Sequence, residues 1–432
     1  MVSAPLRSWV TKAAVPAGAG LALTYAYAYG TARYRRDARR GYELHDPPQP
    51  GTAAFARLVE GATGAPWRTG NRVTILRNGD RTFGSMLDAI AAAKSTIDLS
   101  SYIIWPGKIT DRFTEAMCER AEAGVEVNVV VDAYGSAKWA GHATVTALEE
   151  AGATVMFFRP PTWYALDKLN NRMHRRLLIV DGTIGFAGGV GIADVWTGDA
   201  QDPEHWRETH LQVEGPAVRD ILGGFMENWA EAAHVVIDAT HFPELETFDD
   251  GVGLQVVRSS PRSGGTSTSQ LFYAAIAGAK ERLWITTAYF TPDEAFLDLL
   301  CEAPARGVDV RILVNGRNVD KEVVREAGQR HYGRLLEAGV RISEYQQTML
   351  HAKTMIVDGW ANIGSSNLDH RSLGLDDELM VAFSDRVLVE EIVQHFHDDL
   401  KVSEEFDIDR WRRRSLAKRA RESAGDLFRQ SF

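Results

Sequence analysis

Two short segments of the chain each carry a histidine, a basic residue and an aspartate at one fixed spacing. They are His174, Arg176 and Asp181 in MHRRLLIVDG, and His351, Lys353 and Asp358 in MLHAKTMIVDG. With 12 His and 48 Lys+Arg in 432 residues, this H-x-[KR]-x4-D pattern is expected about 0.1 times by chance. Two copies with the same Ile-Val-Asp-Gly ending therefore indicate a site rather than two isolated core histidines.

Paired histidines beside cations have the composition of a phosphoryl-transfer site. A neutral imidazole can attack phosphorus, which divides one difficult displacement into two easier ones. The second imidazole can protonate the leaving alkoxide and later deprotonate the incoming alcohol or water. The cations offset the phosphate charge, and each aspartate can orient a histidine. This chemistry requires neither a metal nor a cofactor, and the chain has no Walker-type glycine loop and no HExxH motif.

Longer segments around the two motifs repeat in the same order. Residues 97–105 (IDLSSYIIW) resemble residues 283–292 (LWITTAYFTP), and residues 123–132 (AGVEVNVVVD) resemble residues 306–315 (RGVDVRILVN). In each copy short apolar strands alternate with amphipathic helices, which favours βαβ units. The sequence therefore predicts an α/β protein of two similar halves, each a mostly parallel sheet flanked by helices, packed about a pseudo-twofold axis. Such an axis would bring both histidine motifs into one cleft.

The pattern of repeats and charges divides the chain into four parts. They are an N-terminal segment (1–45), a first half (46–245), a second half (246–400) and a basic amphipathic tail (401–432). Residues 13–30 are about long enough to span a bilayer but only weakly apolar. Five Arg follow between Arg33 and Arg40, which places this flank on the cytoplasmic side of a membrane. We expect a single weak anchor, with a surface-lying helix or a cleaved signal as alternatives.

The paired motifs resemble the HKD motifs of the phospholipase D superfamily, and GSSNLDHRS (364–372) resembles the G-S-x-N segment that follows its second motif. TAYFTPDEA, QTMLHAKTMIVDG and WRETHLQVEGPAVRD are similar to segments of bacterial cardiolipin synthases. The resemblance covers roughly residues 70–400 in the same order. It implies phosphatidyl transfer between two phosphatidylglycerol molecules, with release of glycerol and a phosphohistidine as the intermediate.

The resemblance also implies a role for individual residues. His174 and His351 would form the catalytic pair, with the first histidine favoured as the nucleophile. The residues that would bind phosphate are Arg176, Lys353, Asn367 and Ser365. The acids that would support catalysis are Asp181, Asp358 and, unless it lies in a solvated turn, Glu378. Residues expected to line or support the cleft are Tyr102, Tyr289, Trp206 and His210.

Three features depart from the family pattern. Arg176 stands where Lys is usual, and these two cations differ in how they bind phosphate. Gly191, in GGVGI, stands where an Asn is expected. Five residues rather than the usual six separate Asp358 from Gly364. We therefore expect an intact phosphate site in the second half and a weaker one in the first.

Two other functions remain open from the sequence. One is a phosphodiesterase of the same superfamily that hydrolyses phospholipid or nucleic acid, and the other is an inactive lipid-binding relic. A net charge of −10 and a pI near 5.7 count against nucleic acid as a partner. The intact second motif counts against the relic. The predicted partners are phosphatidylglycerol or another anionic phospholipid and a membrane surface, with the acceptor (phosphatidylglycerol, water or another alcohol) left open.

Overall fold

The computed structural model describes residues 41–42, 44–161, 170–261 and 266–414. The predicted anchor in residues 13–30 and the tail from residue 415 onward lie outside the described residues. Among the helices in these ranges, none combines the length and the apolar character needed to cross a bilayer.

The described helices flank one large sheet. They are α1 (Ala53–Thr63), α2 (Asn78–Ala92), α3 (Lys108–Glu122), α4 (Ala143–Glu150), α5 (Val218–Ala233), α6 (Ser267–Gly278), α7 (Glu294–Ala305), α8 (Glu322–Gln329), α9 (Tyr332–Glu337), α10 (His370–Gly374), α11 (Arg386–Lys401) and α12 (Ile408–Arg412). The strands are β1 (Trp67–Arg77), β2 (Thr96–Ser101), β3 (Glu126–Asp132), β4 (Thr154–Phe158), β5 (Leu177–Val180), β6 (Ile184–Gly188), β7 (Thr209–Glu214), β8 (Val252–Ser259), β9 (Arg282–Thr286), β10 (Phe290–Thr291), β11 (Asp309–Asn315), β12 (Arg341–Tyr345), β13 (Thr354–Val357), β14 (Trp360–Gly364), β15 (Leu368–Asp369), β16 (Glu378–Phe383) and β17 (Ser403–Phe406).

The two halves contribute equivalent strands to a single sheet of 15 strands. Its order is β17-β12-β11-β9-β13-β14-β16-β8-β1-β7-β6-β5-β2-β3-β4. From the central β8–β1 pair outward, the strand order of the second half repeats that of the first, with β17 added as the outermost strand. This arrangement confirms the prediction of two similar α/β halves. The predicted boundary at residues 245/246 falls in the connection between α5 and β8.

The prediction of mostly parallel sheets is wrong. Within the large sheet, four pairs of neighbouring strands are parallel, namely β2–β3, β3–β4, β9–β11 and β11–β12. The other ten pairs in the large sheet are antiparallel. The βαβ units predicted from the alternation of strands and helices are therefore confined to the outer part of each half.

A tight turn after each histidine motif explains the antiparallel pairs. Asp181 and Gly182 have φ of 52° and 62°, and Thr183 N–H donates to Val180 O at 3.0 Å, which is a type I′ turn. Asp358, with φ of 52°, likewise begins a two-residue connection between β13 and β14, but Gly359 does not share the positive φ of Gly182. The Asp-Gly pair that ends each motif was therefore a hairpin signal. Each motif strand runs antiparallel to β2 or β9 rather than parallel to it.

The buried apolar side chains of the described residues form three clusters. One cluster lies under α2, α3 and α4 of the first half, and another lies under α1, α6 and α7 of the second. The third cluster includes Phe225 and Trp229 of α5 together with Ile392 and Phe396 of α11, and it is shared by both halves. The halves are therefore joined through a common core as well as through the β1–β8 pair.

Candidate active site

Both histidine motifs lie at the same edge of the sheet. β5 begins opposite the end of β2, and β13 begins opposite the end of β9, so the two histidines precede these strands at one edge. We call this side of the sheet, which is formed by the ends of strands and not by an outermost strand, the histidine edge. The ends of β3, β4, β11 and β12 lie there as well. Each motif is held there by a segment of the other half. His174 N–H donates to Asp377 O at 2.9 Å, and His351 N–H donates to Arg207 O at 2.8 Å.

Each histidine side chain contacts a carboxylate from the other half. His174 Nδ1 lies 2.9 Å from Glu378 Oε1, and His351 Nδ1 contacts Glu208 Oε2. Both glutamates are fully buried, and the histidines are 8% and 3% exposed. Glu208 and Glu378 directly follow Arg207 and Asp377, whose backbone carbonyls accept from the histidine N–H groups. The same backbone contacts between the halves therefore place each glutamate beside the histidine of the other half.

The basic residue of each motif folds back onto its own histidine. Arg176 Nη2 lies 2.9 Å from His174 Nε2, and Arg176 Nη1 donates to His174 O at 2.7 Å. Lys353 Nζ lies 2.9 Å from His351 Nδ1. Since an arginine only donates, these partners assign to His174 a neutral ring with the proton on Nδ1 and a lone pair on Nε2.

Burial and the local charges favour neutral imidazoles. Burial first, and then Arg176 and Lys353, lower the pKa of His174 well below its usual value. The pKa of His351 is lowered by burial, Lys353, Arg176 and His174, so the two motifs share one electrostatic environment. Burial also raises the pKa of both Glu208 and Glu378 to about 7, against the nearby cations, and lowers the pKa of Lys353 to about 7.

The predicted phosphate ligands are only partly available. Asn367 is 2% exposed, and its Oδ1 has no hydrogen-bond partner among the described residues. Arg176 Nε is likewise buried and unpaired within those residues. The hydroxyl of Ser365 instead donates to Glu378 Oε2, so it fixes the carboxylate that orients His174. Arg176, Lys353 and Asn367 remain the candidates for holding a phosphate.

Two tyrosines and two tryptophans surround the histidines. The Tyr102 ring lies 5.0 Å from the His174 ring, and the Trp196 and Trp206 rings lie 5.3 and 5.5 Å from the His351 ring. The hydroxyl of Tyr289 donates to Asp320 at 2.8 Å, beside Lys321. His210 lies in the same neighbourhood, where burial and Arg176 lower its pKa to about 3.

Asp181 and Asp358 lie at the opposite edge of the sheet from the histidines. The carboxylate of Asp181 accepts from the backbone N–H groups of Lys94, Ser95 and Thr96, at the start of β2. Asp358 accepts from the N–H groups of residues 280–282 at the start of β9. The role of orienting a histidine, predicted for these aspartates, therefore falls to Glu378 and Glu208, and the aspartates fix the turn to the strand beside it.

The missing Asn of the first half has a steric explanation. A Cβ atom at Gly191 would lie 2.9 Å from the Trp196 ring and 3.2 Å from Ile103 O. Trp196 thus occupies the space that an Asn side chain would need, and the ring contacts His351. The two halves therefore contribute different groups to the site, Arg176 and Trp196 from the first half and Lys353 and Asn367 from the second.

Sequence reasoning missed Glu208 and two further cations, Lys321 and Arg371. The charges of both cations lower the pKa of His174, after burial and the nearer groups. Arg371 also donates to Asp376 Oδ1 at 3.1 Å. A signal for Glu208 was present, since WRETHLQV and DDELMVAF each place a Glu where the strand that follows the motif hairpin begins. Nothing comparable in the sequence distinguishes Lys321 or Arg371 from the other cations of the chain.

The geometry is suited to transfer of a phosphoryl group. Two imidazoles, each backed by a carboxylate and flanked by a cation, can supply a nucleophile in the neutral form and a proton donor in the protonated form. The fold and this site together define an enzyme of the phospholipase D type. The family profile described as "Cardiolipin synthase, PLD-like domain" matches residues 86–205 and 272–400. The chain belongs to this cardiolipin synthase-like family.

Named relatives agree with this assignment. A cardiolipin synthase 2 of Bacillus anthracis is 34% identical over 367 residues, which cover 84% of this chain and 71% of that protein. A cardiolipin synthase of Geobacillus sp. (strain WCH70) is 33% identical over 367 residues, with 84% and 73% coverage. The solved phosphatidylserine synthase of Haemophilus influenzae superposes with a TM-score of 0.66 at 13% identity, covering 87% of this chain and 99% of that one. At this identity the structural match shows a shared fold.

Proposed function

We propose that the protein joins two phosphatidylglycerol molecules into cardiolipin and releases glycerol, through a phosphohistidine intermediate. The observation that carries the proposal is the pair of neutral histidines, each held by a buried glutamate of the other half. The cardiolipin synthase names of relatives that align with most of the chain support the choice of substrate. The coarser conclusion, a phospholipid phosphatidyltransferase, follows from family membership.

In the first step, Nε2 of His174 attacks the phosphorus of one phosphatidylglycerol. The bond from phosphorus to the terminal glycerol oxygen breaks, and His351 supplies the proton that glycerol carries away. For this step His351 must enter the complex protonated, which the anionic substrate phosphate favours by opposing the cations that lower its pKa. Arg176, Lys353 and Asn367 hold the phosphate oxygens as charge develops.

In the second step, a terminal hydroxyl of another phosphatidylglycerol replaces the departed glycerol. His351, now neutral, takes the proton of that hydroxyl, and the oxygen attacks the phosphorus. The phosphorus–nitrogen bond to His174 breaks, and cardiolipin is released with His174 neutral again. The second step is the reverse of the first with a different alcohol, so the same catalytic groups serve both steps.

The identity of the acceptor is tested by product analysis. Vesicles that contain headgroup-labelled and acyl-labelled phosphatidylglycerol are incubated with the protein in EDTA. We expect cardiolipin and free glycerol in equal amounts. Phosphatidic acid without cardiolipin would instead identify a hydrolase, and no turnover would contradict the proposal as a whole.

The proposed site of catalysis is the cytoplasmic face of a membrane. Five Arg between Arg33 and Arg40 follow the weakly apolar residues 13–30, as expected for a cytoplasmic flank. Protease treatment of right-side-out and inside-out vesicles tests this placement, because a cytoplasmic protein body is digested only in inside-out vesicles.

A further inference from the structure

Exposed apolar side chains are unevenly distributed over the described residues. The large apolar side chains that are exposed there are Tyr42, Tyr134, Val235, Val236, Phe242, Val323, Val387 and Val402. Phe242 and Val387 lie at the edge of the sheet opposite the histidines, next to His241 and in the first turn of α11. The other six lie at or beside the histidine edge. Exposed apolar groups that collect on one face of a protein mark an interaction surface.

Tyr134 lies on the rim of the site in the first half, directly after β3. Its backbone N–H donates to Asp132 Oδ1 at 2.9 Å, and Asp132 Oδ2 accepts from Met173 N–H, one residue before His174. The next residue, Gly135, packs against Tyr102, whose ring contacts His174. The Tyr134 side chain is 69% exposed, so an apolar ring projects beside the entrance.

Val323 occupies a similar place in the second half, in the first turn of α8 after β11. Lys321 Nζ, two residues earlier, lies 5.4 Å from the Tyr289 ring. Val323 is 45% exposed. Because β3 and β11 are equivalent strands of the repeat, Tyr134 and Val323 stand on opposite sides of the histidine pair.

The rim also carries exposed cations, although the net charge of the chain is −10. Lys138 is exposed and its Nζ lies 4.4 Å from the ring of Trp105, and Arg317 and Lys321 are exposed after β11. Gly41, where the described chain begins, packs against Tyr273 and Ala295 near the start of α7. The described chain therefore begins at this edge. Cations around apolar groups fit a surface of anionic headgroups over acyl chains.

We propose that the histidine edge docks onto an anionic phospholipid bilayer, with Tyr134 and Val323 entering its interface on either side of the active site. This inference rests on the proposed lipid substrate. A phosphatidylglycerol headgroup must reach histidines that are less than one-tenth exposed while its acyl chains stay in an apolar phase. A rim that enters the interface lets the headgroup move into the cleft without exposing the acyl chains to water.

The docking geometry is tested on the full chain bound to vesicles of phosphatidylglycerol and phosphatidylcholine. A nitroxide is placed at Tyr134→Cys, Val323→Cys, Phe242→Cys or Val387→Cys, with Cys118 and Cys301 replaced by Ser. We expect labels at 134 and 323 to become shielded from a water-soluble relaxing agent when vesicles are added, and labels at 242 and 387 to stay accessible. Equal shielding at all four positions, or none at 134 and 323, would overturn the proposal.

A kinetic comparison separates docking from chemistry. The double variant Tyr134→Ser/Val323→Ser should turn over bilayer substrate about tenfold more slowly, since each lost apolar contact weakens insertion. Its turnover of short-chain phosphatidylglycerol in detergent should stay within about twofold of the parent, as should both activities of Phe242→Ser/Val387→Ser. If the rim variant lost as much activity in detergent as on bilayers, the docking role would be overturned. The same would follow if the parent formed a dimer without vesicles and the rim variant did not, because the rim would then be an interface between two copies of the chain. If the parent makes no cardiolipin, the proposed function fails, whereas the nitroxide result still decides the docking face.

Discussion

His174 is oriented by Glu378, a residue 204 positions further along the chain in the other half of the molecule, through a contact of 2.9 Å. His351 is oriented in the same way by Glu208 of the first half. A buried carboxylate that accepts from Nδ1 fixes the tautomer of the ring and stabilises the cation that forms during proton transfer. Each histidine therefore depends for its chemistry on the half to which it does not belong.

The first prediction concerns these crossed glutamates. Glu378→Gln and Glu208→Gln should each lower kcat by about 10²–10⁴-fold, because an amide no longer stabilises the protonated ring. Glu378→Gln should slow formation of the phosphohistidine, whereas Glu208→Gln should slow proton delivery by His351. Rapid-quench measurement of labelled protein from headgroup-phosphorus lipid distinguishes the two steps.

Glu149→Gln, an exposed change on α4, is the matched control and should retain parental kinetics. The crossed assignment fails if Glu378→Gln affects only transfer from the phosphohistidine, or if both variants remain fully active.

The second prediction assigns the two histidines. His351→Ala should still form a phosphohistidine, slowly, because water can protonate a leaving alkoxide weakly. His174→Ala should trap no lipid phosphorus, since nothing nearby replaces the attacking imidazole. The measurement is acid-labile, base-stable labelling of the protein, with the exposed His45→Ala as a control of unchanged activity. Labelling in His174→Ala alone would reverse the roles, and cardiolipin synthesis by both variants would refute the shared site.

The third prediction is a bell-shaped dependence of kcat/KM on pH, with both limbs near neutrality. Burial raises the pKa of Glu208 and Glu378 to about 7, so the carboxylate forms are lost as the pH falls below that value. Burial lowers the pKa of Lys353 to about 7, so its charge is lost as the pH rises above it. The three groups are coupled, so the limbs report the cluster as a whole.

Lys353→Arg tests the alkaline limb, because a guanidinium stays charged throughout the accessible range. In that variant the alkaline limb should move up by at least about one pH unit while the acid limb stays in place. Initial rates on detergent-dispersed phosphatidylglycerol provide the measurement. An unchanged alkaline limb would show that another group controls it.

The fourth prediction separates stability from catalysis at Asp181. Asp181→Ala removes the acceptor for three backbone N–H groups at a residue with φ of 52°, and should lower the free energy of unfolding by about 2–3 kcal/mol. Asp181→Asn should cost less, about 1 kcal/mol, because Asn tolerates this φ and keeps one acceptor. Urea unfolding measures both, and Asp88→Ala on the exposed side of α2 is the control.

The same change should leave kcat of the folded enzyme within about twofold, because Asp181 lies at the edge of the sheet away from His174. Although burial alone would raise the pKa of Asp181, the N–H groups of residues 94–96 hold it below its usual value. The stabilisation is therefore complete above the unfolded pKa of about 3.9 and is lost as the pH falls through the lower folded value. A large fall in kcat with unchanged stability would instead support the catalytic role first predicted for this residue.

The sequence predicted what depends on local spacing and repetition. The two histidine motifs, the two α/β halves and the family were all readable because each is encoded within a few tens of residues and occurs twice. The direction of the motif strands was also encoded locally, in the Asp-Gly turns at Asp181 and Asp358, but the alternation of strands and helices outweighed that signal.

Contacts between the halves could not be predicted in the same way. Glu208 and Ser365 are ordinary polar residues until the fold places one against His351 and the other against Glu378. Trp206 and His210 were selected from the same short segment that contains Glu208, because aromatic side chains and histidines stand out by type. The contact of Glu208 with His351 depends on a bridge between Arg207 and Leu350, 143 residues apart, and no local pattern records that bridge.

The crossed glutamates also bear on how such a chain could arise. If two identical half-length chains paired about a twofold axis, each would lend its glutamate to the histidine of the other, and the pair would be active where a single copy was not. Separately expressed residues 1–245 and 246–432 should accordingly be inert alone and regain turnover only when mixed. After two copies are fused into one chain, their sequences no longer have to be identical. One copy can then acquire Arg176 and Trp196 while the other keeps Lys353 and Asn367. The proposed exchange of glycerol headgroups, which is symmetric, would thus be carried out by a site whose two sides have been free to diverge.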